Sequence, residues 1–255
     1  MLKSSSQGGE PATTTSASAA RQGAKVVLLE RYGILGGMAT MGEVNPFMSN
    51  RLNGKALDRP LYVDWCRKMW EYLPADERGG SEFDEETFEP ETRRIHKDIA
   101  VLALEDLCLE AGVKLYYHHN LVDVIKDGTR IKAAVFSSKT GFSAVTGKVF
   151  IDGTGDADLA WLAGCRCHVG DRNGNCQPMS LCFKLSGVDL NRMPPDRAAM
   201  NVYYEQAKTA GEIDCPRENL LWWFYNTGNG ILHFNTTRII GRSGINGIEL
   251  SQAEI

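Results

Sequence analysis

The stretch from Ala19 to Thr40, AARQGAKVVLLERYGILGGMAT, constrains the fold more than any other part of the chain. Lys25 to Leu29 holds a short apolar run with two valines and two leucines, and Glu30 closes it. Such an unbroken run is the mark of a parallel strand covered by helices on both faces of its sheet. Arg21, Gln22 and Gly23 before it read as a helix end with a glycine stop. The order helix, glycine, strand, acid suits a nucleotide-binding unit, in which the acid after the second strand hydrogen-bonds a ribose hydroxyl. An ordinary helix–strand joint with an exposed Glu30 fits the local pattern as well.

The first reading requires an earlier strand and a glycine turn. Residues 1–18 are rich in Ser, Thr, Gly and Ala, a composition typical of a flexible tail. Gly8-Gly9-Glu10-Pro11-Ala12 nevertheless resembles the turn of a GxGxxG fingerprint, with Gln7 at the first glycine position and Ala12 at the third. That fingerprint brings backbone close to a pyrophosphate at a helix N-terminus. Against it stand Gln7, the negative charge of Glu10, the missing N–H of Pro11, and the lack of a buried-strand pattern in Met1–Ser6. A tail and a phosphate turn built on Gly8, Gly9 and Ala12 both remain open here.

Composition removes several classes of function. With 255 residues the chain can bury a sizeable core as one large α/β domain or two smaller ones. A net charge of -4 gives no reason to expect nucleic acid or an anionic membrane as a partner. No window approaches the ~20 apolar residues of a membrane span. MLKSSSQGGEP lacks the apolar core of a secretion signal. Seven cysteines, an odd count in a chain too long to need staples, read as free cytosolic thiols, so the expected compartment is the cytoplasm. Asn235-Thr236-Thr237 matches a glycosylation sequon, which means little without a secretion signal.

Along the chain, residues 31–53 form a long glycine-bearing loop, of the kind that is usually functional. Leu61–Leu73 is expected as an amphipathic helix that packs Trp65, Met69 and Trp70, and residues 74–90 as a solvated acidic loop. Pro90–Ala111 reads as a deeply packed helix stopped by Gly112, and Val113–Tyr117 as a strand. Leu121–Ile125, Arg130–Phe136 and Phe142–Val149, with turns at Asp127-Gly128 and Thr140-Gly141, predict an antiparallel meander. Val149–Ile151 is expected as a buried strand returning to the parallel sheet, Asp152–Asp156 as a turn, and Ala157–Ala163 as a helix start. Asp156 could accept from hydroxyls, but capping the helix is its more ordinary role. Beyond Gly164, Cys165-Arg166-Cys167-His168 lacks metal-site spacing, and Cys176 and Cys182 flank a strand over Met179–Leu185. Arg197–Ala210 reads as a helix, Leu220–Ile240 as two strands around Thr227–Gly230, and Leu250–Ile255 as the start of another helix.

SAARQGAKVVLLERYGILGGMAT with VNPFMS, then RRIHKDIAVLALEDLCLEAGVKLYYHHNLVDVI, then KVFIDGTGDADLAWLAGC, together resemble the FAD-dependent oxidoreductases of the glutathione-reductase-like flavoprotein class. The resemblance runs from about Ala19 over nearly the whole chain. It implies a Rossmann-like three-layer α/β fold with an inserted antiparallel meander, residues 1–164 binding FAD, with a loop and helical insertion over 45–90, and residues 165–255 forming part of an α+β substrate domain. By position, Glu30 would take the adenosine ribose, and Gly36, Gly37, Met38, Ala39 and Thr40 would line the pyrophosphate and flavin side. Val122 would lie by the adenine, and Thr154, Gly155 and Asp156 near the cofactor. Disulfide reductases of the class carry a cysteine pair where this chain has Ala39 and Val44, so thiol–disulfide exchange of that type is not expected.

What remains is flavin-mediated hydride transfer to or from a small organic substrate, with the protein positioning and tuning the cofactor. His233, Asn235 and Arg238 are candidates for substrate contact, although strand alternation separates 238 from the other two and a structural role for His233 is the commoner outcome. Family members open with a buried strand and an intact fingerprint and carry a late segment closing on the flavin. The altered N-terminus and the absence of that segment before Ile255 predict a fragment that holds FAD weakly. A cofactor-free remnant of the fold, or NAD in place of FAD on Glu30, are the alternatives.

Overall fold

The computed structural model describes residues 2–3, 11–44, 51–53, 55–57, 60–86, 88, 96–224 and 230–255. Its internal contacts divide the chain into two units, Met1–Cys167 and His168–Ile255. The first begins with β1 (Leu2–Lys3), α1 (Pro11–Arg21) and β2 (Val27–Leu29). A one-turn helix α2 (Gly37–Thr40) and a small hairpin, β3 (Arg51–Leu52) and β4 (Lys55–Ala56), follow. Then come α3 (Leu61–Tyr72), α4 (Lys97–Glu110) and β5 (Lys114–Tyr116). The meander is β6 (Asn120–Asp127), β7 (Arg130–Ser138) and β8 (Gly141–Thr146), and the unit closes with β9 (Gly153–Thr154) and α5 (Asp158–Leu162).

Residues 11–18 are not a tail. Pro11 opens α1, where a missing N–H is no loss. Ala12, Thr13, Ser16 and Ala17 form one buried stripe. Spaced at i, i+4 and i+1, i+5, these small side chains let α1 approach α4 closely. A composition resembling a linker therefore encodes a packed helix. Gly23, at φ 87, stops it in the left-handed conformation that only glycine adopts freely.

The main core joins α1, α3 and α4 to β2 and β5, with Trp65, Leu104 and Leu107 fully enclosed. Trp65 also donates its indole N–H to the Ala100 carbonyl (3.2 Å). The acidic loop after α3 is anchored rather than solvated throughout. Phe88 is buried in this core, Phe83 packs between Trp70 and Phe88, and Arg78 lies over the Trp70 ring. Apolar residues scattered among acids do not repeat with a period, so composition concealed their burial. The helix expected from Pro90 is seen from Lys97; residues 89–95 lie outside the described residues.

β2 and β5 pair in parallel, Val27 opposite Lys114 and Leu29 opposite Tyr116. β1 pairs in parallel with β9, Leu2 opposite Gly153. The two pairs are separate two-stranded sheets, which corrects the expectation of one sheet holding Val26–Leu29, Val113–Tyr117 and Val149–Ile151. Val149 and Ile151 are exposed and unpaired in register, and the strand forms two residues later at Gly153–Thr154. An apolar run marks burial potential, but the partner strand decides which residues pair. A strand does precede Gly8, at Leu2–Lys3, although it is too short to show an apolar pattern. The meander packs through Val124, Ala134 and Phe136 against Leu29 and Leu159 in a second core.

The second unit contains β10 (Phe183–Leu185), a 3-10 turn at Leu190–Arg192, α6 (Arg197–Thr209), β11 (Trp222–Phe224), β12 (Leu232–Phe234) and α7 (Gly247–Glu254). The strands form one antiparallel sheet in the order β10-β12-β11. Trp222, Leu232 and Phe234 on one face pack with Phe183 and with Met200 of α6. The turn expected over Thr227–Gly230 lies, up to Asn229, outside the described residues. Among the described residues no helix is long and apolar enough to cross a membrane.

Candidate functional site

Glu30 is the one buried carboxylate among the described residues, 6% exposed. It follows β2, and its backbone prolongs the ladder: its N–H donates to Tyr116 O (2.9 Å), and its carbonyl accepts from His119 N–H (2.9 Å). The side chain folds back so that Oε1 accepts from the Tyr32 N–H (2.9 Å). A carboxylate is costly to bury without acceptor work. Here it stands at the carboxyl end of a parallel strand, where open α/β sheets bind ligands, and it can accept hydroxyls of a diol.

The loop from β2 reaches α2 through a turn that only glycine permits. Gly36 sits at φ 106, and a Cβ there would lie 2.4 Å from Thr40 Cγ2. Thr40 is buried and spends its hydroxyl on the Leu35 carbonyl (2.5 Å), so it holds the turn closed. Gly37 is buried too, Ala39 is half-buried, and Met38 is exposed. Backbone and the Met38 side chain are what this turn offers to a ligand.

A second glycine turn follows β9. Asp152 Oδ1 accepts from Thr154 N–H (2.9 Å) and from its hydroxyl (2.8 Å), and Oδ2 accepts from Ala160 N–H (2.8 Å). Thr154 Oγ1 in turn accepts from Asp158 N–H (2.7 Å). These two side chains thus satisfy the start of α5, the capping task expected of Asp156. Asp156 itself is exposed and makes no cap bond, since Gly155 (φ 84) and Ala157 (φ 59) turn the chain so that 152 and 154 face the helix. The Asp-Gly-Thr order, a short acceptor two residues before a hydroxyl, was the signal for this.

Gly8 and Gly9 lie outside the described residues. Ala12 is buried in α1, packing in the main core. Val122 is skipped by the β6–β7 register, which shifts between Leu121 and Asp123; it forms a bulge and is half-exposed. Glu30 is thus bonded to Tyr116 and His119 on either side of the short connection from β5 to β6, and Val122 lies two residues into β6.

In the second unit His233 is buried in the centre of β12, opposite Lys184 on one side and Trp223 on the other. These residues share the sheet face opposite the aromatic core. Asn235 lies just past the strand, its N–H on Leu221 O (3.0 Å), and Arg238 lies further on, half-buried. The strand ends at Phe234, so simple alternation does not extend to 235 and 238. All seven cysteines are free, and among the described residues no group of three or more His, Cys, Asp or Glu could hold a metal. Burial, followed by the Glu105 charge, pushes the Cys108 thiol up to about 12. Burial raises the Cys215 thiol, but hydrogen bonds from Tyr204 and from backbone N–H groups outweigh it and hold the thiol below its ordinary value.

No curated protein matches the chain. Among solved structures it is similar to BexE, studied for oxidation during BE-7585A biosynthesis (15% identity, TM-score 0.49, 96% of this chain and 46% of that one). It is also similar to the Diels-Alderase PyrE3 of pyrroindomycin biosynthesis (14%, 0.47, 94% and 48%). A third is L-proline dehydrogenase from P. horikoshii (13%, 0.47, 99% and 77%). The chain spans about half the length of the first two. The model of one protein family matches residues 7–255, nearly the entire chain, and the protein therefore belongs to the FAD dependent oxidoreductase family, whose cofactor is FAD.

Proposed function

We propose that the chain serves a flavoenzyme that moves a hydride between a small organic substrate and FAD. Bound FAD supplies the two-electron chemistry at its isoalloxazine. The protein's part is to hold and orient the cofactor. The observation that carries the reading is Glu30, a buried carboxylate at the carboxyl end of a parallel strand, its backbone fixed by Tyr116 and His119. Its acceptor chemistry fits the adenosine ribose. Gly36, Gly37, Met38, Ala39 and Thr40 line the pyrophosphate and flavin side. Val122, at its bulge, lies by the adenine, and Thr154, Gly155 and Asp156 approach the cofactor from β9. Gly8, Gly9 and Ala12 complete the phosphate end. A Rossmann-like three-layer arrangement with the meander inserted is part of this reading; α1, which packs on both β1 and β2, supports it although the two parallel pairs are not hydrogen-bonded into one sheet. His233, Asn235 and Arg238 are the substrate-side candidates. Free thiols throughout suit a reducing, cytoplasmic setting.

An absorbance spectrum and a fluorescence titration with FAD test the reading. Binding weakened about tenfold in Glu30→Gln is expected, since the lost charge-assisted bonds are worth ~1.5–3 kcal/mol. A parent chain that binds no FAD would sink the proposal.

A further inference from the structure

We propose that His118 is a binding residue for the adenine of FAD, an inference that rests on the assignment of Glu30 to the ribose. The exits of β2 and β5 are tied together beyond their ladder: His119 N–H donates to Glu30 O (2.9 Å), and His118 N–H donates to Tyr32 O (3.2 Å). His118 is therefore fixed across from the segment that carries the ribose acid. It stands at φ 57, in the left-handed region where glycine is free and a histidine is strained. Its ring lies against Gly33, where a Cβ would come 3.1 Å from Cε1 and 3.2 Å from Nε2. Two unusual local choices, a non-glycine in the left-handed region and a glycine facing its ring, thus hold an exposed imidazole at this place.

The neighbouring histidine has a different job. His119 Nδ1 is 2.7 Å from Tyr117 O, so that nitrogen carries the proton, and its ring packs edge-on against Tyr116 at 5.6 Å. His119 locks the connection from within. The His118 side chain is exposed and its ring makes no hydrogen bond or ion pair to the described residues, so the part of the ring that does not lie against Gly33 is open to a ligand. A planar ring beside a ribose acid matches a purine, which stacks on aromatic side chains and offers donors and acceptors on its edge. On the same turn the Arg31 guanidinium lies 4.8 Å over the Tyr32 ring, a cation whose charge would suit a ligand that carries phosphates.

The test uses His118→Gly and His118→Phe. Glycine relieves the strained φ, so the fold is kept and the melting temperature stays equal or rises. Phenylalanine keeps the flat face. Affinity for FAD is read by quenching of flavin fluorescence, and for ADP and NADH by calorimetry. About tenfold weaker FAD and ADP binding in His118→Gly, largely retained in His118→Phe, is expected for loss of one base-stacking side chain. Unchanged FAD affinity in His118→Gly, with Glu30→Gln weakened, would overturn the role of His118 and leave the FAD reading standing. NADH bound tightly by a parent chain that ignores FAD would overturn both.

Discussion

Replacing Asp152 by alanine should cost the first unit much of its stability while leaving every apolar contact in place. The carboxylate accepts from three donors, Thr154 N–H, the Thr154 hydroxyl and Ala160 N–H, at 2.8–2.9 Å. Hydrogen bonds to a charged acceptor contribute about 1.5–3 kcal/mol each, but Asp152 is half-exposed and water replaces part of what is lost. A net loss of about 2–4 kcal/mol follows, or a melting point lower by roughly 5–15 °C at the ~2–4 °C per kcal/mol of a chain this size. Asp152→Asn separates the two oxygens. An amide oxygen at the Oδ1 position keeps both bonds from Thr154, while its NH2 group meets the Ala160 N–H, so about half the loss is expected. Thr154→Val removes the hydroxyl that also receives Asp158 N–H (2.7 Å), and its effect should not add to that of Asp152→Ala, because the two act on one cap. Urea denaturation of the FAD-free protein, followed by circular dichroism, measures all three. Equal stability of parent and Asp152→Ala would refute the cap; equal losses for Ala and Asn would refute the division between the oxygens.

Trp65→Ala empties a fully buried site and removes the bond to Ala100, and a loss of about 3–5 kcal/mol in urea denaturation is expected. Cys108, its thiol raised to about 12 from 9.0 chiefly by burial, should resist iodoacetamide at pH 8 in the folded protein. The folded state keeps that proton while the unfolded state releases it above about pH 9, so this contribution to stability is complete below pH 9 and falls away as the pH approaches 12. A flat stability profile for the parent relative to Cys108→Ala across that range would contradict the sign. Glu10→Gln should tighten FAD, by roughly fivefold if the carboxylate faces a solvated pyrophosphate across ~1 kcal/mol of repulsion, as a flavin titration would show.

Elements with a strong local signature were legible. α3 and α4 announce themselves by their buried apolar positions, Gly23 and Gly112 by the stops they provide, and the meander by its turns at Gly128 and Gly141. Pairing was less legible because register is a property of two segments. Val149–Ile151 has the composition of a buried strand, yet β1 pairs with Gly153–Thr154, and a two-residue strand such as Leu2–Lys3 is too short to carry a period. α1 was hidden for the opposite reason: its buried face is made of alanine, serine and threonine, which a reading based on apolar residues passes over.

The candidate site divides along the same line. Glu30 was legible because an acid ending an apolar run is a one-dimensional pattern, and the fold adds only that the side chain is buried and its backbone bonded to Tyr116 and His119. Asp152 was visible as part of a turn, but its task was assigned to Asp156, since both are acids before a helix and only the left-handed residues Gly155 and Ala157 decide which one faces it. His118 carried no sequence signal at all. Its position depends on a backbone bond to Tyr32 and on Gly33, which is 85 residues away and reaches it only because β2 and β5 lie side by side. A residue placed by its own strand end can thus be read from the chain, whereas a residue placed by the joining of two strand ends becomes visible only when the pairing is known.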